Sequence, residues 1–313
     1  MVSEIIVLNN GEKMPALGLG TSGGYENEVK QAVRDALDLG YRHIDTAHFY
    51  KNEKEIGEAV NEKIKEGVVK REDVFLVSKL WNSFHGENMV QPALKRTLAD
   101  LGVDYVDLYL IHWPFAYKDG WDLEPRDSKG QLILSDSDFT KTWKAMEECV
   151  KLGLAKSIGL SNFNRKQIQR ILDIAEIKPV TNQVECHPYL AIKEHVAFCQ
   201  AKGIVVTAYR PIAGQSKLND ISPINDPLIQ RLAEKHGKSP AQIMLRLQLQ
   251  RGIVVIPKST NKQRMKSNME IFDFQLSADE VEALLKLDKG DAGRTIPMKE
   301  CQPHRDYPFN GEF

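Results

Sequence analysis

The sequence predicts an α/β fold in which eight parallel strands form a (β/α)8 barrel, with an N-terminal β-hairpin and long loops at the C-terminal face of the barrel. Three observations support this prediction. Short runs rich in Val, Ile and Leu recur eight times along the 313 residues, and they are continuous, as in strands buried on both faces of a parallel sheet. Segments with helical spacing of apolar residues separate these runs. No linker or change of composition divides the chain, so residues 1–313 are interpreted as a single barrel domain.

Strands and helices are predicted in strict alternation, which indicates βαβ units. The strands are ALGLG from Ala16, RHI before Asp45, VFLVS from Val74, VDLYLI from Val106, KSIGL from Lys156, TNQVE from Thr181, IVVTA from Ile204 and IVVIP from Ile253. The helical repeats include Val29–Val33–Leu37, Ile56–Val60–Ile64, Leu94–Leu98–Leu101, Ile168–Ile171–Leu172 and Ile243–Leu245–Leu247–Leu249. Glycines that should end helices are Gly40, Gly102, Gly153 and Gly203. Three stretches fit neither element and are predicted to be functional loops, namely Trp113–Ser137, Arg210–Asp226 and Lys289–Phe313.

Composition excludes several classes of protein. Hydrophobic residues make up 42% and charged residues 27%, which is typical of a globular protein. The net charge of −1 offers no positive surplus for a phosphate backbone, so nucleic acid is not expected as a partner. The four cysteines are scattered, which favours reduced thiols in the cytoplasm. We find neither a signal peptide nor an apolar run of the ~20 residues that span a bilayer, and no spacing typical of a metal site.

One motif favours a different fold. Gly18-Leu19-Gly20-Thr21-Ser22-Gly23 matches the dinucleotide fingerprint G-x-G-x-x-G of Rossmann domains, and the next predicted strand ends in Asp45. However, the spacing to Asp45 is longer than the fingerprint requires, and eight units exceed the six strands of the common Rossmann order. The barrel is therefore the preferred interpretation.

In such a barrel the reactive groups come from the C-terminal ends of the strands. The polar residues predicted there are Asp45, Tyr50, Lys79, His112, Ser161, Asn162, Gln183, Glu185, Tyr209, Lys258 and Ser259. Taken alone, each of them is more often a residue of the barrel rim whose polar groups are hydrogen-bonded within the fold. Polar groups at the ends of apolar strands are costly unless they converge on a site, so together they predict one.

The residue types suggest proton transfer to an oxygen. A tyrosine has a pKa near ~10, and we expect the Lys79 ammonium to lower that of Tyr50, with Asp45 holding the lysine in place. His112 is suited to orient a carbonyl oxygen or to relay a proton. Gly159-Leu160-Ser161 lacks the second glycine of a nucleophile elbow, and no other nucleophile with a base is evident. A cofactor that carries hydride is therefore the expected complement.

Several motifs closely resemble signatures of the aldo-keto reductases. They are GYRHIDTAHFYKNEKEIG at 40–57, FLVSKLW at 75–81, DLYLIHWP at 107–114, IGLSNFN at 158–164, NQVECHPYL at 182–190, VVIPKS at 254–259 and the ending RDYPFNGEF. The resemblance extends over nearly the whole chain. Within the family, the sequence is most similar to the aldose and aldehyde reductases.

The resemblance implies a role for each matching position. Asp45, Tyr50, Lys79 and His112 match the catalytic tetrad, in which Tyr50 would be the general acid. The cofactor would be NADPH/NADP+. The positions implied to bind it are Ser161, Asn162 and Gln183 at the carboxamide, Tyr209 stacked on the nicotinamide ring, Lys258, Ser259 and Arg264 at the 2′-phosphate, Asn268 at the adenine, and in addition Thr21 and Arg210. Family analogy implies a monomer that acts on a small carbonyl compound.

The sequence departs from the family pattern around the substrate. Ser22 replaces a common Trp, Arg210 replaces a Ser, Ser267 replaces a frequent Glu, and the loop Arg210–Asp226 is shorter than in aldose reductase and lacks its Trp. The residues expected at the substrate pocket are Ser22, Phe49, Trp81, Trp113 and Phe115, with Trp121 also available. A pocket that has lost one wall should admit bulky apolar carbonyls such as steroid-like ketones or long-chain aldehydes, unless the tail Lys289–Phe313 fills the gap.

The competing interpretation is a non-catalytic relative that keeps the cofactor site, but such a protein would not need the intact tetrad.

Overall fold

Eight strands pair in parallel and close into a barrel. The structure, a computed structural model, describes residues 4–23, 26–214, 222–311 and 313. The strands in these ranges are β1 Ile5–Val7, β2 Lys13–Pro15, β3 Leu19–Gly20, β4 His43–Asp45, β5 Phe75–Leu80, β6 Val106–Ile111, β7 Ala116–Tyr117, β8 Leu134–Ser135, β9 Ala155–Ser161, β10 Thr181–Glu185, β11 Val205–Tyr209 and β12 Ile253–Val255. The parallel sheet has the order β12-β11-β10-β9-β6-β5-β4-β3. All eight strands predicted from the apolar runs are confirmed.

The barrel closes between its first and last strands. Leu17 pairs with Val255 and Gly20 pairs with Lys258, both in parallel, and the Gly18 amide donates to the Val255 carbonyl at 2.9 Å. This closure requires glycine. A Cβ on Gly18 would lie 2.7 Å from the His43 ring, and one on Gly20 would lie 2.7 Å from the Ile256 carbonyl oxygen.

The G-x-G-x-x-G motif is therefore part of the barrel seam. Its first two glycines let neighbouring backbone and side chains approach closely, and β3, which contains Gly20, belongs to an eight-stranded barrel. The Rossmann alternative is wrong.

Helices surround the barrel and separate its strands, with two consecutive helices in the described residues between β11 and β12 where the predicted alternation has one. The helices in the described ranges are α1 Glu26–Leu39, α2 Glu53–Lys65, α3 Glu87–Leu101, α4 Phe139–Lys151, α5 Arg165–Leu172, α6 Lys193–Ala201, α7 Pro227–His236, α8 Pro240–Gln250, α9 Lys262–Met269 and α10 Ala278–Leu285. Local sequence sets their ends: Asn164 caps α5 by accepting from the Gln167 amide at 2.9 Å, and Gly102 ends α3 at a φ of 62°. None of these helices is long and apolar enough to cross a membrane.

The predicted N-terminal hairpin is present and covers the N-terminal end of the barrel. Strands β1 and β2 pair in antiparallel fashion. Leu8 and Met14 from this hairpin are buried against Phe75, Val77 and neighbouring side chains of the barrel interior. The opposite, C-terminal end is consequently the one left to the long loops.

Two of the three predicted loops contain more structure than expected. In Trp113–Ser137, β7 pairs with β8, so the expectation of no strand there is wrong. The tail from Lys289 has short 3₁₀ turns at Gly290–Gly293 and Lys299–Cys301. In the loop Arg210–Asp226, residues 215–221 lie outside the described residues, and a 3₁₀ turn covers Pro223–Asn225. Described residues from all three segments line the cavity or follow strand ends at the C-terminal end of the barrel.

Candidate active site

Four side chains from three adjacent strands converge at the C-terminal end of the barrel. Asp45 is the last residue of β4, Lys79 lies in β5, and His112 directly follows β6. Tyr50 lies in the 3₁₀ turn His48–Tyr50 that follows β4. Because adjacent parallel strands end at the same edge, residues far apart in sequence meet here, as predicted.

Lys79 and Asp45 form a buried ion pair at the base of the site. Their Nζ and Oδ1 atoms are 2.6 Å apart, and Lys79 is fully buried. The ammonium also donates to the Thr46 carbonyl at 2.8 Å, and the second carboxylate oxygen of Asp45 accepts from Gln183 Nε2 at 2.7 Å. Burial lowers the pKa of Lys79, but the charge of Asp45 and the nearby Tyr50 outweigh it and leave this pKa above its ordinary value. The lysine is thus a fixed positive charge.

Tyr50 lies over this ion pair. Lys79 Nζ is 5.1 Å from the centroid of the Tyr50 ring. Burial raises the pKa of Tyr50, and Lys79 and the Ser22 hydroxyl oppose this effect without reversing it. The expectation of a lowered pKa is therefore wrong, because desolvation of a phenolate outweighs the single cation. Tyr50 keeps its proton at neutral pH, which is the form that a general acid needs.

His112 is the neutral member of the group. Its ring meets the Tyr50 ring edge-on, with centroids 5.7 Å apart, and meets the Trp81 ring similarly at 5.1 Å. Burial holds the pKa of His112 well below its ordinary value, and the charge of Lys79 adds to this. Its Nδ1 is buried and has no hydrogen-bond partner among the described residues. The imidazole is therefore uncharged where it enters the site.

A second polar group, from β9, β10 and β11, continues the site. Asn162 Nδ2 donates to the His112 carbonyl at 3.0 Å, and its Oδ1 accepts from the Tyr209 hydroxyl at 2.8 Å. Ser161 Oγ donates to the Gln183 carbonyl at 2.9 Å. Asn162 has a φ of 62°, a left-handed conformation that asparagine tolerates better than most residues. The result is a fixed cluster of amides and hydroxyls beside the tetrad.

Lys258 and Arg264, the cations expected at the 2′-phosphate, lie after β12, the first in the loop before α9 and the second in the first turn of α9. Lys258 and Arg264 are exposed, and neither side chain has a hydrogen-bond or ion-pair partner in the described ranges. Between them, Asn261 caps the N-terminus of α9 by accepting from the Arg264 amide at 2.9 Å. Thr21 lies next to the tetrad, where its hydroxyl donates to the Asp45 carbonyl at 2.9 Å. Two unpaired cations beside a helix N-terminus are suited to bind a phosphate.

These groups surround a cavity of about 530 Å³. Its described lining is Gly20, Thr21, Ser22, Asp45, Phe49, Tyr50, Trp81, His112, Trp113, Ser161, Asn162, Gln183, Tyr209, Arg210, Pro211, Ile212, Ala213, Gly214, Ile256, Pro257, Lys258, Ile296 and Met298. The Phe49 ring stacks on Trp81 with centroids 3.7 Å apart. The cavity therefore joins the tetrad, the amide cluster and Lys258 in one continuous space.

Several predicted residues do not line this cavity. Phe115 is fully buried behind Trp113, with ring centroids 5.3 Å apart, so it supports the wall without forming it. Trp121 is exposed and packs on Phe84. The others outside the lining are Lys79, which is fully buried, Ser259 before α9, and Arg264 and Asn268 within α9.

Sequence reasoning missed several lining residues, among them Ile296 and Met298, which come from the C-terminal tail. Their position depends on Glu185 at the end of β10, a fully buried carboxylate that accepts hydrogen bonds from the backbone amides of Thr295 and Ile296 at 2.9 to 3.1 Å. The tail has no periodic pattern that would place it. The only available signal was a carboxylate at the end of an apolar strand, which must find donors.

The fold and this site define a (β/α)8 barrel protein with an Asp–Tyr–Lys–His constellation at the C-terminal face. The profile of the Aldo/keto reductase family matches residues 16–289. Aldo-keto reductase family 1 member A1 of Gallus gallus is 45% identical over 99% of this chain and 98% of its own length. Prostaglandin-E(2) 9-reductase of Oryctolagus cuniculus is 45% identical over 98% of each chain.

A solved structure agrees with these sequence matches. The aldose reductase of Schistosoma japonicum superposes with a TM-score of 0.94 at 43% identity and covers 99% of this chain and 100% of its own. The chain belongs to the aldo/keto reductase family. This membership indicates an oxidoreductase that acts on carbonyl groups.

Proposed function

We propose that this protein reduces aldehydes and ketones to alcohols with NADPH as the hydride donor and Tyr50 as the general acid. The observation that carries the proposal is the buried Lys79–Asp45 pair, at 2.6 Å, beneath a protonated Tyr50 and beside a neutral His112. A buried ion pair is costly to maintain. Because the pair lies beneath a tyrosine that lines a cavity, its position supports a role in catalysis.

Each of the four tetrad residues has its own part in the proposed proton transfer. His112 and Tyr50 bind the carbonyl oxygen of the substrate, and the Tyr50 hydroxyl then gives its proton to that oxygen as negative charge develops there. The fixed ammonium of Lys79 stabilises the phenolate left behind, and Asp45 keeps the ammonium in place. Burial makes the phenolate costly until that moment, so the proton stays on Tyr50 between turnovers.

The described residues fit a nicotinamide dinucleotide. Ser161, Asn162 and Gln183 offer amide and hydroxyl groups for a carboxamide, and the Tyr209 ring is available for stacking. At the other end, Lys258 and Arg264, together with Ser259, would hold a 2′-phosphate. Asn268, Thr21 and Arg210 are proposed to contact other parts of the cofactor. When bound, this cofactor supplies the hydride that the protein itself cannot. The two free cations favour NADPH over NADH.

The substrate end of the cavity suits bulky apolar carbonyls. Phe49, Trp81, Trp113 and Met298 provide apolar walls, while Ser22 offers only a small side chain. The tail also contributes to the wall, through Ile296 and Met298. The name of one relative, a prostaglandin reductase, is consistent with a large carbonyl substrate.

The test is reduction by the purified protein of a panel that pairs small aldehydes with bulky ketones, each with NADPH and with NADH. We expect NADPH oxidation to match alcohol formation mole for mole, with the larger kcat/KM for bulky ketones. Binding of NADPH without turnover of any carbonyl would instead support the non-catalytic alternative. Equal use of NADH would refute the cofactor preference. A monomeric, cytoplasmic protein remains the expectation from sequence.

A further inference from the structure

Arg210 connects the loop after β11 to the C-terminal tail. Its guanidinium Nη1 donates to Thr295 Oγ1 at 2.9 Å, across 85 positions of the sequence. The backbone at Arg210 is left-handed, with a φ of 47°, and its carbonyl accepts from the Ala213 amide at 2.8 Å, which makes a tight turn. No carboxylate pairs with Arg210 in the part of the chain that the structure describes. Thr295 is thus the partner that fixes this side chain.

Thr295 is in turn held by a buried carboxylate. Its backbone amide donates to both oxygens of Glu185, at 2.9 and 3.0 Å, and its hydroxyl donates to Glu185 as well. Burial raises the pKa of Glu185, but hydrogen bonds from His187 and Thr295 outweigh it and leave this pKa below its ordinary value. The Thr295 hydroxyl therefore receives a bond from a cation and gives one to an anion, an arrangement in which each bond strengthens the other.

The segment that this bridge fixes is a wall of the cavity. Thr295 itself is buried, and Ile296 and Met298, directly after it, both line the space next to the tetrad. The segment has no regular hydrogen-bonded structure of its own between the turns Gly290–Gly293 and Lys299–Cys301. Its position consequently depends on side-chain contacts, which come from the barrel rim through Glu185 and from the tail itself through the Tyr307 hydroxyl, a donor to the Pro297 carbonyl.

We propose that Arg210 is a specificity-determining positioning residue, which acts through Thr295 to hold the Ile296–Met298 wall at the distance that suits its substrate. The inference rests on the proposed function, because it assigns that wall to the substrate. A serine or lysine at position 210 cannot replace it fully, since the first is too short to reach Thr295 and the second lacks the planar fork of donors.

The first test needs no activity. Hydrogen exchange of the backbone amides of Thr295 and Ile296, which report on the bonds to Glu185, is measured in the free protein and in Arg210→Ser. We expect exchange about tenfold faster in the variant, as loss of one charge-assisted hydrogen bond implies. Arg231→Ser is the matched control, because Arg231 is exposed on α7 and has no partner in the described ranges. Unchanged exchange in Arg210→Ser would overturn the proposal.

The second test measures selectivity at saturating NADPH, where effects on cofactor affinity cancel. The ratio of kcat/KM for a bulky ketone to that for a small aldehyde is compared in Arg210→Ser, Thr295→Val and the double variant. We expect each single change to shift the ratio by about tenfold and the double variant to shift it no further, since the two residues act as one unit. Multiplicative effects, or a ratio unmoved by Arg210→Ser, would contradict the proposal.

The two tests separate the possible failures. If the unchanged protein reduces no carbonyl, the proposed function fails, while the exchange measurement still decides whether Arg210 positions the tail. If the protein is an active reductase with unchanged exchange and selectivity in Arg210→Ser, only the inference about Arg210 fails. Thr295→Ser, which keeps the hydroxyl, should restore the normal ratio and so shows that the effect comes from the hydrogen bond.

Discussion

Lys79→Met should separate the structural role of the buried ion pair from its catalytic role. Methionine keeps the length and most of the volume of the lysine side chain but removes its charge. Asp45 then remains buried, with the amide of Gln183, at 2.7 Å, as the surviving side-chain donor to its carboxylate. Breaking a buried pair by removing one partner costs about 3–5 kcal/mol, and full burial of Lys79 places this variant in that range.

The pH dependence of the loss has a definite sign. In the unchanged protein the pKa of Lys79 is raised, so its contribution to stability is complete at neutral pH and is lost only as pH rises through that pKa. Lys79→Met lacks this titrating group. Its deficit in the free energy of unfolding should therefore be full at neutral pH and become smaller only as pH rises through the raised pKa of Lys79.

The double variant Asp45→Asn/Lys79→Met provides the control. It leaves no buried charge at either position, so most of the lost stability should return. Turnover should not return, because the cation that stabilises the Tyr50 phenolate is still absent, and the fall should be on the order of 10²-fold or more. Urea unfolding and carbonyl reduction are measured on the same three proteins. Recovery of turnover in the double variant would refute the role assigned to Lys79.

Three further predictions follow. Replacing both Lys258 and Arg264 by Met should weaken NADPH far more than NADH, by about 1.5–3 kcal/mol for each lost contact to phosphate; equal losses in a fluorescence titration would exclude a 2′-phosphate site. Ser22→Trp should lower kcat/KM for a bulky ketone by ~10-fold while a small aldehyde is reduced as well or better; a parallel loss for both would remove Ser22 from the selective wall. Because the pKa of His112 is lowered and that of Tyr50 is raised, kcat/KM should stay level between about pH 6 and 9, and a steep fall within that range would contradict both assignments.

Sequence alone located the barrel strands and the tetrad because both depend on simple rules. Continuous apolar runs indicate strands that are buried on both faces, and parallel strands bring their C-terminal ends together. Asp45, Lys79 and His112 therefore converge whatever the helices between them do. The family resemblance then supplied the roles, and the structure places Tyr50 beside the other three side chains.

The substrate wall could not be predicted in the same way. Ile296 and Met298 lie in an irregular segment that is held in part by Glu185, which is distant in sequence, and no periodicity reports such contacts. Phe115 is excluded from the wall by the path of the chain after β6, which buries it behind Trp113. Whether the pKa of Tyr50 is raised or lowered also depends on burial, which a list of neighbouring charges does not reveal.

The most direct test of the central claim is the turnover of Tyr50→Phe. Phenylalanine keeps the ring beside Lys79 and removes only the proton that the reaction is proposed to use. We predict a fall in kcat of ~10²–10⁴-fold with unchanged NADPH affinity. The matched control is Tyr105→Phe, whose ring packs against Arg71 and Lys156 away from the cavity and which should keep normal turnover. Near-normal carbonyl reduction by Tyr50→Phe would contradict the account.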